Sequence, residues 1–138
     1  MYVSFYFQNN ITTKERFNVR IVNLTGHDVT LLDDNNKELA VFKPSGYVPR
    51  VIPSQKDHGW MVDDETGIDI DVVKNVSILD FDGLEIQPYV TYIVSWMFLR
   101  AMADNNHPNL HQFVAPNTKD MPKGLNEKPL GVRNFLAL

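Results

Sequence analysis

Side chains that can hold an anionic group are spread over several short polar segments of this chain. Arginine suits such groups because its planar guanidinium bonds two oxygens at once. Ser95 precedes a run of helix-forming residues, and a helix N-terminus adds backbone N–H groups and a favourable dipole for an anion. Aromatic side chains supply surfaces on which a base can stack. From these patterns we predict ligand-binding roles for Thr25, His27, Ser45, Tyr47, Arg50, Tyr92, Ser95, Trp96, Asn117 and Arg133.

The same residue types also have purely structural uses. Asn23, Thr25 and His27 can bond the backbone of their own turn. Ser95 can simply cap the helix that follows it. A structural and a ligand-binding interpretation of these residues therefore both stay open at the level of sequence.

Sequence patterns of catalysis and of metal binding are missing. The chain has no G-x-S-x-G, Walker A or G-x-G-x-x-G sequence. Asp33 begins a stretch like a calcium loop, but Glu38 and Pro44 stand where that loop needs glycine and glutamate. His107 and His111 have helical zinc-ligand spacing, but Pro108 separates them. With no cysteine for a thiolate site or a disulfide, we predict no metal, no cofactor and no catalytic residue.

Length and composition indicate an ordinary globular domain. The chain has 138 residues, 43% of them hydrophobic, and a formal net charge of −4, which predicts a single domain over residues 1–138. An acidic balance disfavours DNA binding through bulk charge. No apolar run is long enough to span a membrane, and the N-terminal MYVSFYFQNN lacks the basic start of a signal peptide. We therefore expect no membrane partner and a cytoplasmic location.

Charge is distributed unevenly along the chain. Residues 57–85 hold nine acidic residues and one lysine, Lys74, a local net charge of −8. Since the total is −4, the rest of the chain carries +4. An anionic ligand is therefore expected outside residues 57–85. That segment is either a solvated surface or a site for a basic protein.

Hydrophobic patterning predicts a mainly β fold of the α+β type, a small β-sandwich or barrel-like domain with one helix. The helix is expected over 95–104, since Ser95 is a good N-cap and Pro108 cannot continue a helix. A turn is expected at 33–36, and loops over 53–67 and 116–131. The predicted strands are the first eight residues, 17–21, 29–32, 39–42, 47–52, 68–73, 76–81, 89–94, 113–115 and 131–138.

Five fragments together resemble a family of small uncharacterised proteins encoded by bacteriophages and prophages. They are V-N-L-T-G-H-D-V at 22–29, P-S-G-Y-V-P-R-V at 44–51, Y-I-V-S at 92–95, A-P-N-T at 115–118 and G-V-R-N-F at 131–135. The resemblance covers roughly residues 20–136. Gly26 stands where that family usually has proline, and residues 57–84 are longer and more acidic than the family pattern.

The resemblance implies a context rather than a chemistry. Small phage accessory proteins often bind a host component, and one class of this size sequesters nucleotide signals of bacterial immunity. It implies a non-enzymatic protein of the host cytoplasm that binds a small anionic ligand, such as a cyclic nucleotide or an ADP-ribose derivative. Because one domain of short strands offers limited concavity, we expect the pocket to form between the subunits of a homo-oligomer. Two alternatives stay open: an acidic inhibitor that meets a host protein through residues 57–85, and a small hydrolase or virion structural component.

Overall fold

The computed structural model describes residues 18–119 and 121–138. The strand predicted for the first eight residues lies outside this range. The described chain forms one α-helix, one 3-10 helix and eight strands. In order these are β1 (Arg20–Asn23), β2 (Val29–Leu32), β3 (Glu38–Phe42), β4 (Arg50–Val62), β5 (Asp69–Asp80), β6 (Val90–Ile93), α1 (Trp96–Asp104), the 3-10 helix (Leu110–Gln112), β7 (Phe113–Pro116) and β8 (Phe135–Leu136).

A four-stranded sheet with the order β1-β6-β7-β8 forms the centre of the molecule. Strand β6 runs parallel to both β1 and β7, and β8 is antiparallel to β7. Helix α1 connects the neighbouring parallel strands β6 and β7. All four residues of β6 are buried, because parallel strands need cover on both faces.

Alternate residues of the central strands enter two different hydrophobic clusters. Tyr92 and Phe113 pack with Phe98 and Leu99 of α1 on one face of the sheet. Ile93 and its neighbours on β7 pack with β2 and the C-terminal segment on the other face. The rings of Tyr92 and Phe113 stack with centroids 5.0 Å apart. This alternation follows from the two-residue period of a strand.

Helix α1 begins and ends as predicted. Ser95 is its N-cap, and the Ser95 hydroxyl accepts a hydrogen bond from the Phe98 backbone N–H at 3.2 Å. The helix ends at Asp104, after which Asn105 caps it. Its buried side is formed by Phe98, Leu99, Ala101 and Met102.

Strands β2 and β3 form a short antiparallel hairpin. The predicted turn at 33–36 is confirmed: Asp33 accepts hydrogen bonds from the backbone of Asn35 and Lys37, and Asn36 has a φ of 63°. The hairpin is tied to the C-terminal segment, because Thr30 and Leu32 exchange backbone hydrogen bonds with Val132. A Cβ at the adjacent Gly131 would lie 2.6 Å from the Thr30 carbonyl oxygen, so this approach requires glycine.

Strands β4 and β5 form a long antiparallel hairpin, which we call the arm (residues 50–80). The predicted loop over 53–67 is wrong for 53–62, which belong to β4, and the two strands predicted over 68–81 are one strand. Pro53 is tolerated because, among the residues that the structure describes, β4 pairs with β5 alone and its other edge is free. A register shift between Asp57 and Trp60 accommodates the residues around Gly59.

The base of the arm packs on the body, whereas the rest extends away from it. Val51 and Leu79 contact the hydrophobic cluster of α1, and the Asn105 side chain reaches the Ser77 carbonyl oxygen. Beyond Ser54, every residue of β4 is exposed. At about 3.3 Å per residue, the 13 residues of β4 span roughly 40 Å.

The predicted mainly β fold with one helix is confirmed. The predicted loop over 116–131 contains no strand beyond Pro116 in its described residues, while the strand predicted for 131–138 is limited to Phe135–Leu136. Within the described ranges, no helix is long and apolar enough to cross a membrane.

Candidate functional site

A cavity of about 610 Å³ opens at the carboxyl ends of the three parallel strands. Leu24 and Thr25 follow β1, Val94 and Ser95 follow β6, and Pro116 ends β7; all of them line the cavity. The carboxyl edge of a parallel sheet is the usual place for a ligand, because loops and helix N-termini meet there. A volume of this size is within the range of small-molecule sites, roughly 300 to 1,000 Å³.

The turn after β1 is built around the buried side chain of Asn23. Its amide nitrogen donates to the carbonyl oxygens of His27 and Phe42, each at 2.8 Å. Its amide oxygen accepts hydrogen bonds from the backbone N–H and the hydroxyl of Thr25. The Asn23 carbonyl oxygen also accepts a hydrogen bond from the Ser45 N–H. One side chain therefore fixes the cavity wall from Thr25 to Asp28 relative to β3.

The N-terminus of α1 forms a polar part of the wall. The Ser95 hydroxyl bonds the Phe98 N–H, and both Ser95 and Trp96 line the cavity. The backbone N–H groups of Trp96 and Met97 make no hydrogen bond within the helix, because the first residues of an α-helix have no helical carbonyl group four positions earlier. These donors are therefore available to a ligand. Trp96 is 46% exposed at the protein surface, so its ring is accessible to a planar ligand group.

The remainder of the wall is largely apolar. Val48, Pro49, Met121 and Leu130 contribute to it. The charged residue of the lining, Asp28, is paired with Lys43 at 2.8 Å. This hydrogen bond raises the pKa of Lys43. No lysine or arginine is among the described residues that line the cavity.

The structure brings four of the predicted site residues together on this cavity. They are Thr25, His27, Ser95 and Trp96. Thr25 and Ser95 also make the hydrogen bonds that the structural interpretation of the sequence predicted. Thr25 bonds within its own turn, and Ser95 caps α1. The His27 Nδ1 lies 2.9 Å from the Asp28 carbonyl oxygen. A ligand-binding role for the four residues stays a prediction, now with a common location.

The two predicted arginines are adjacent to lining residues without lining the cavity themselves. Arg50 follows Pro49 and is exposed at the base of the arm. Arg133 follows Val132, and its guanidinium donates to the Asn36 side chain at 2.5 Å. In this structure neither guanidinium belongs to the wall of the cavity.

The other four predicted residues also lie outside the lining. Ser45 accepts a hydrogen bond from the Tyr47 N–H within its own turn, and Tyr47 is exposed. Tyr92 is buried under α1, where its hydroxyl accepts a hydrogen bond from the Gln87 N–H. Asn117 bonds Asn134 through both backbone and side chain, which connects the segment after β7 to the one before β8.

All five sequence fragments singled out above, at 22–29, 44–51, 92–95, 115–118 and 131–135, contribute to this one cavity. They supply residues 24–29, 48–49, 94–95, 116 with 118, and 131–132 of its wall. Sequence reasoning selected the polar members of these fragments and missed the apolar Val48, Pro49 and Val132. The fragments contained that signal, whereas Met121 and Leu130 lie in a segment interpreted only as a loop.

No group of three or more His, Cys, Asp or Glu side chains within the described ranges could hold a metal ion. The comparisons with known proteins provide no relative: no family model, no curated protein and no solved structure matches this chain.

Proposed function

We propose that this protein binds and sequesters a small, anionic, nucleotide-derived ligand in the cavity beside α1. The observation that carries the proposal is the position of the cavity, where the carboxyl ends of β1, β6 and β7 meet the N-terminus of α1. Strand ends supply the floor, and the turn from Thr25 to Asp28 supplies one wall. This placement matches the usual location of ligands on parallel sheets.

The cavity wall favours a ligand with one aromatic part and a low negative charge. A base would stack on Trp96 or lie against Val48 and Pro49, because planar rings pack well on such surfaces. A single anionic group would accept N–H bonds at the start of α1, with Ser95 beside it. A polyphosphate is disfavoured, since the described lining offers no lysine or arginine to balance it.

The hydrogen bonds of His27 and of its neighbour Thr25 support binding without catalysis. His27 Nδ1 contacts a backbone carbonyl, and the neighbouring Thr25 hydroxyl donates to Asn23 at 2.6 Å. Neither arrangement pairs a hydroxyl nucleophile with a base, which acyl or phosphoryl transfer to a side chain requires.

The biological setting we propose is that of a phage accessory protein in the host cytoplasm. Its ligand would be a nucleotide signal of host immunity. A cyclic nucleotide with a single phosphodiester fits the lining better than an ADP-ribose derivative, because the diphosphate of the latter has no lysine or arginine in the described lining to balance it. Sequestration removes a signal by mass action alone, so it needs high affinity and no turnover. The resemblance of the five fragments supports this setting, and their convergence on the cavity connects it to a site.

Calorimetric titration with cyclic mononucleotides, cyclic dinucleotides and ADP-ribose tests the proposal. We expect one of these to bind the wild type with a negative heat-capacity change from apolar burial. Trp96→Ala should weaken that binding at least about tenfold, since base stacking contributes roughly 1 to 3 kcal/mol. Trp60→Ala is the matched control, because Trp60 lies on the arm, away from the cavity lining.

Three outcomes would contradict the proposal. They are no binding of any nucleotide, equal loss in the Trp96→Ala and Trp60→Ala variants, and recovery of a chemically altered ligand. The last outcome, checked by mass spectrometry after incubation, would favour the hydrolase alternative. A role as an inhibitor of a basic host protein through residues 57–85, or as a virion component, stays a prediction from sequence.

A further inference from the structure

One face of the arm has exposed apolar and charged side chains at most of its positions, with Ser54, Val72 and Val76 half-buried among them. We call it the outer face; it is opposite to the face on which Val51 and Leu79 contact the body. Residues on one face of a strand alternate with those on the other, and the strand register identifies which side chains lie side by side. The outer face consists of Ile52, Ser54, Lys56 and Met61 from β4, and Ile70, Val72, Lys74, Val76 and Ile78 from β5.

The centre of the distal outer face is apolar and exposed. Met61 and Ile70 are directly paired and are 54% and 44% exposed. Val72 extends this patch toward the base of the arm. A two-stranded hairpin with such side chains in water is only marginally stable by itself, so covering them would stabilise it.

Opposite charges border this apolar centre. On the side of the body, Lys56 and Lys74 are directly paired across the two strands, an arrangement in which like charges repel. On the side of the tip, the turn between the strands has the exposed acidic residues Asp64 and Glu65. Ile70 lies four residues from Lys74, roughly 13 Å along a strand, and the tip of the turn lies roughly as far on the other side.

Neither the lysine pair nor the acidic turn forms an ion pair among the described residues. The ion pairs of the described chain are Lys43 with Asp28 and Arg100 with Asp104. The neighbouring Asp63 is engaged by the Thr66 backbone and hydroxyl within the turn, which leaves Asp64 and Glu65 as the outward charges. From the Lys56 and Lys74 pair to the tip, the outer face therefore has the order cationic, apolar, anionic, and the apolar Ile52 and Ile78 lie on the base side of the lysine pair.

We propose that the occupant of the outer face is the same face of a second copy of this chain, packed antiparallel about a two-fold axis near Ile70. That packing places Met61, Ile70 and Val72 of both copies in one centre. It also places the lysine pair of each copy against the acidic turn of the other. The same patch serves both partners, as a two-fold interface requires, and the order of charges is complementary only in the antiparallel direction.

The extent of the surface limits the strength of this dimer. One face of a single hairpin offers less area than a standard interface, which buries about 1,600 Å² in total. We therefore expect a reversible dimer that forms with rising protein concentration. Screening by salt should weaken it, since its flanking contacts are ionic and near solvent.

Sedimentation velocity of the full chain over a range of concentrations, at low and high salt, is the first test. We expect a shift from monomer to dimer in the wild type at low salt. Ile70→Glu should abolish the dimer. Val73→Glu is the matched control, since it adds the same charge to a neighbouring exposed residue on the opposite face of β5 and should leave the dimer unchanged.

A pair of charge-reversed variants makes the test specific for the antiparallel arrangement. Lys56→Glu with Lys74→Glu gives a chain with two acidic regions, and Asp64→Lys with Glu65→Lys gives one with two basic regions. Each variant alone should dimerise less than the wild type. An equimolar mixture should form a heterodimer, because both flanks are then oppositely charged. Heterodimer formation also shows that the variants are folded.

The proposal is overturned if the wild type stays monomeric at every concentration and salt. It is also overturned if Val73→Glu abolishes the dimer while Ile70→Glu does not, which would place the contact on the other face. A mixture of the charge-reversed variants that dimerises no better than its components would exclude the antiparallel charge pairing. None of these outcomes depends on ligand binding by the cavity, so the two proposals fail separately.

Discussion

The body and the arm use the same strand-forming residues in opposite ways. In β6, both faces are covered, and Tyr92 and Ile93 are almost completely buried. In β4 and β5, comparable side chains such as Ile70 and Trp60 face solvent. The number of apolar residues in a strand therefore does not show whether the strand belongs to the core. A strand belongs to the core when other elements cover it, as α1, the β2-β3 hairpin and the C-terminal segment cover β6. The predictions below test this division, beginning with the largest effect.

Truncating a core side chain should cost far more than truncating an arm side chain. Leu99 is fully buried in α1, so Leu99→Ala should lower the free energy of unfolding by about 2 to 5 kcal/mol. Val73→Ala on the arm should change it by less than about 0.5 kcal/mol. Urea denaturation followed by circular dichroism measures both variants. Similar losses would show that the arm belongs to the cooperative core.

Replacing an asparagine in the body should lower the free energy of unfolding more than replacing one on the arm. Asn23→Ala removes four hydrogen bonds of a buried side chain, two of them buried and two partly buried, and should cost at least about 2 kcal/mol. Asn75→Ala removes one exposed contact with Gln55 and should cost less than about 0.5 kcal/mol. Denaturation curves give both values, and nucleotide titration of Asn23→Ala should show weakened binding because the cavity wall is displaced. Retained affinity would contradict this role of Asn23.

Shortening the arm should leave the body intact. Replacing residues 55–75 with Asn-Gly would close the hairpin after the Ser54 and Val76 pair. We expect a change in unfolding free energy of no more than about 1 kcal/mol, unchanged nucleotide binding and complete loss of the dimer. Calorimetry and sedimentation velocity measure these properties. Unfolding of the shortened chain would mean that the distal arm stabilises the body.

The smallest predicted effect is a pH dependence located in the body. Burial lowers the pKa of His107 from 6.5, and its ring lies 5.2 Å from that of Phe81. Because the folded state then binds protons less readily, the neutral histidine contributes stability that is fully present above pH 6.5 and is lost as the pH falls through the lowered pKa. His107→Asn should flatten this part of the stability profile, measured by denaturation at several pH values. If the slope of stability against pH is the same in His107→Asn, other groups cause this pH dependence.

Local signals in the sequence were sufficient for some elements. Ser95 with the residues after it predicts α1 because an N-cap and helix formers act within a few residues. Asp33 likewise predicts its turn through hydrogen bonds to the next residues. The distal part of β4, residues 53–62, was predicted as a loop because Pro53, Gly59 and several acidic residues are typical of loops. Within the described residues this strand has a free edge, which tolerates them.

The candidate site could also be predicted only where the signals are local. Thr25, His27, Ser95 and Trp96 were predicted from their residue types and from the helix start, and the structure brings them together at one sheet edge. Tyr92 could not be separated from them, since a strand buried on both faces has no polar side to identify its orientation. The placement of Arg133 depends on Asn36, a residue far away in the sequence. Long-range contacts of this kind are not encoded by local patterns.

The parallel pairing of β1 with β6 has a consequence for the order of folding. It joins residues as distant in the chain as Arg20 and Val90, with both hairpins between them. Hairpins form in roughly 1 to 10 μs, whereas pairing between distant segments is slow because chain closure must precede its gain. We therefore expect the arm and the β2-β3 hairpin to form before β1 joins the sheet and completes the cavity, so that binding of the proposed ligand would mark a late step of refolding.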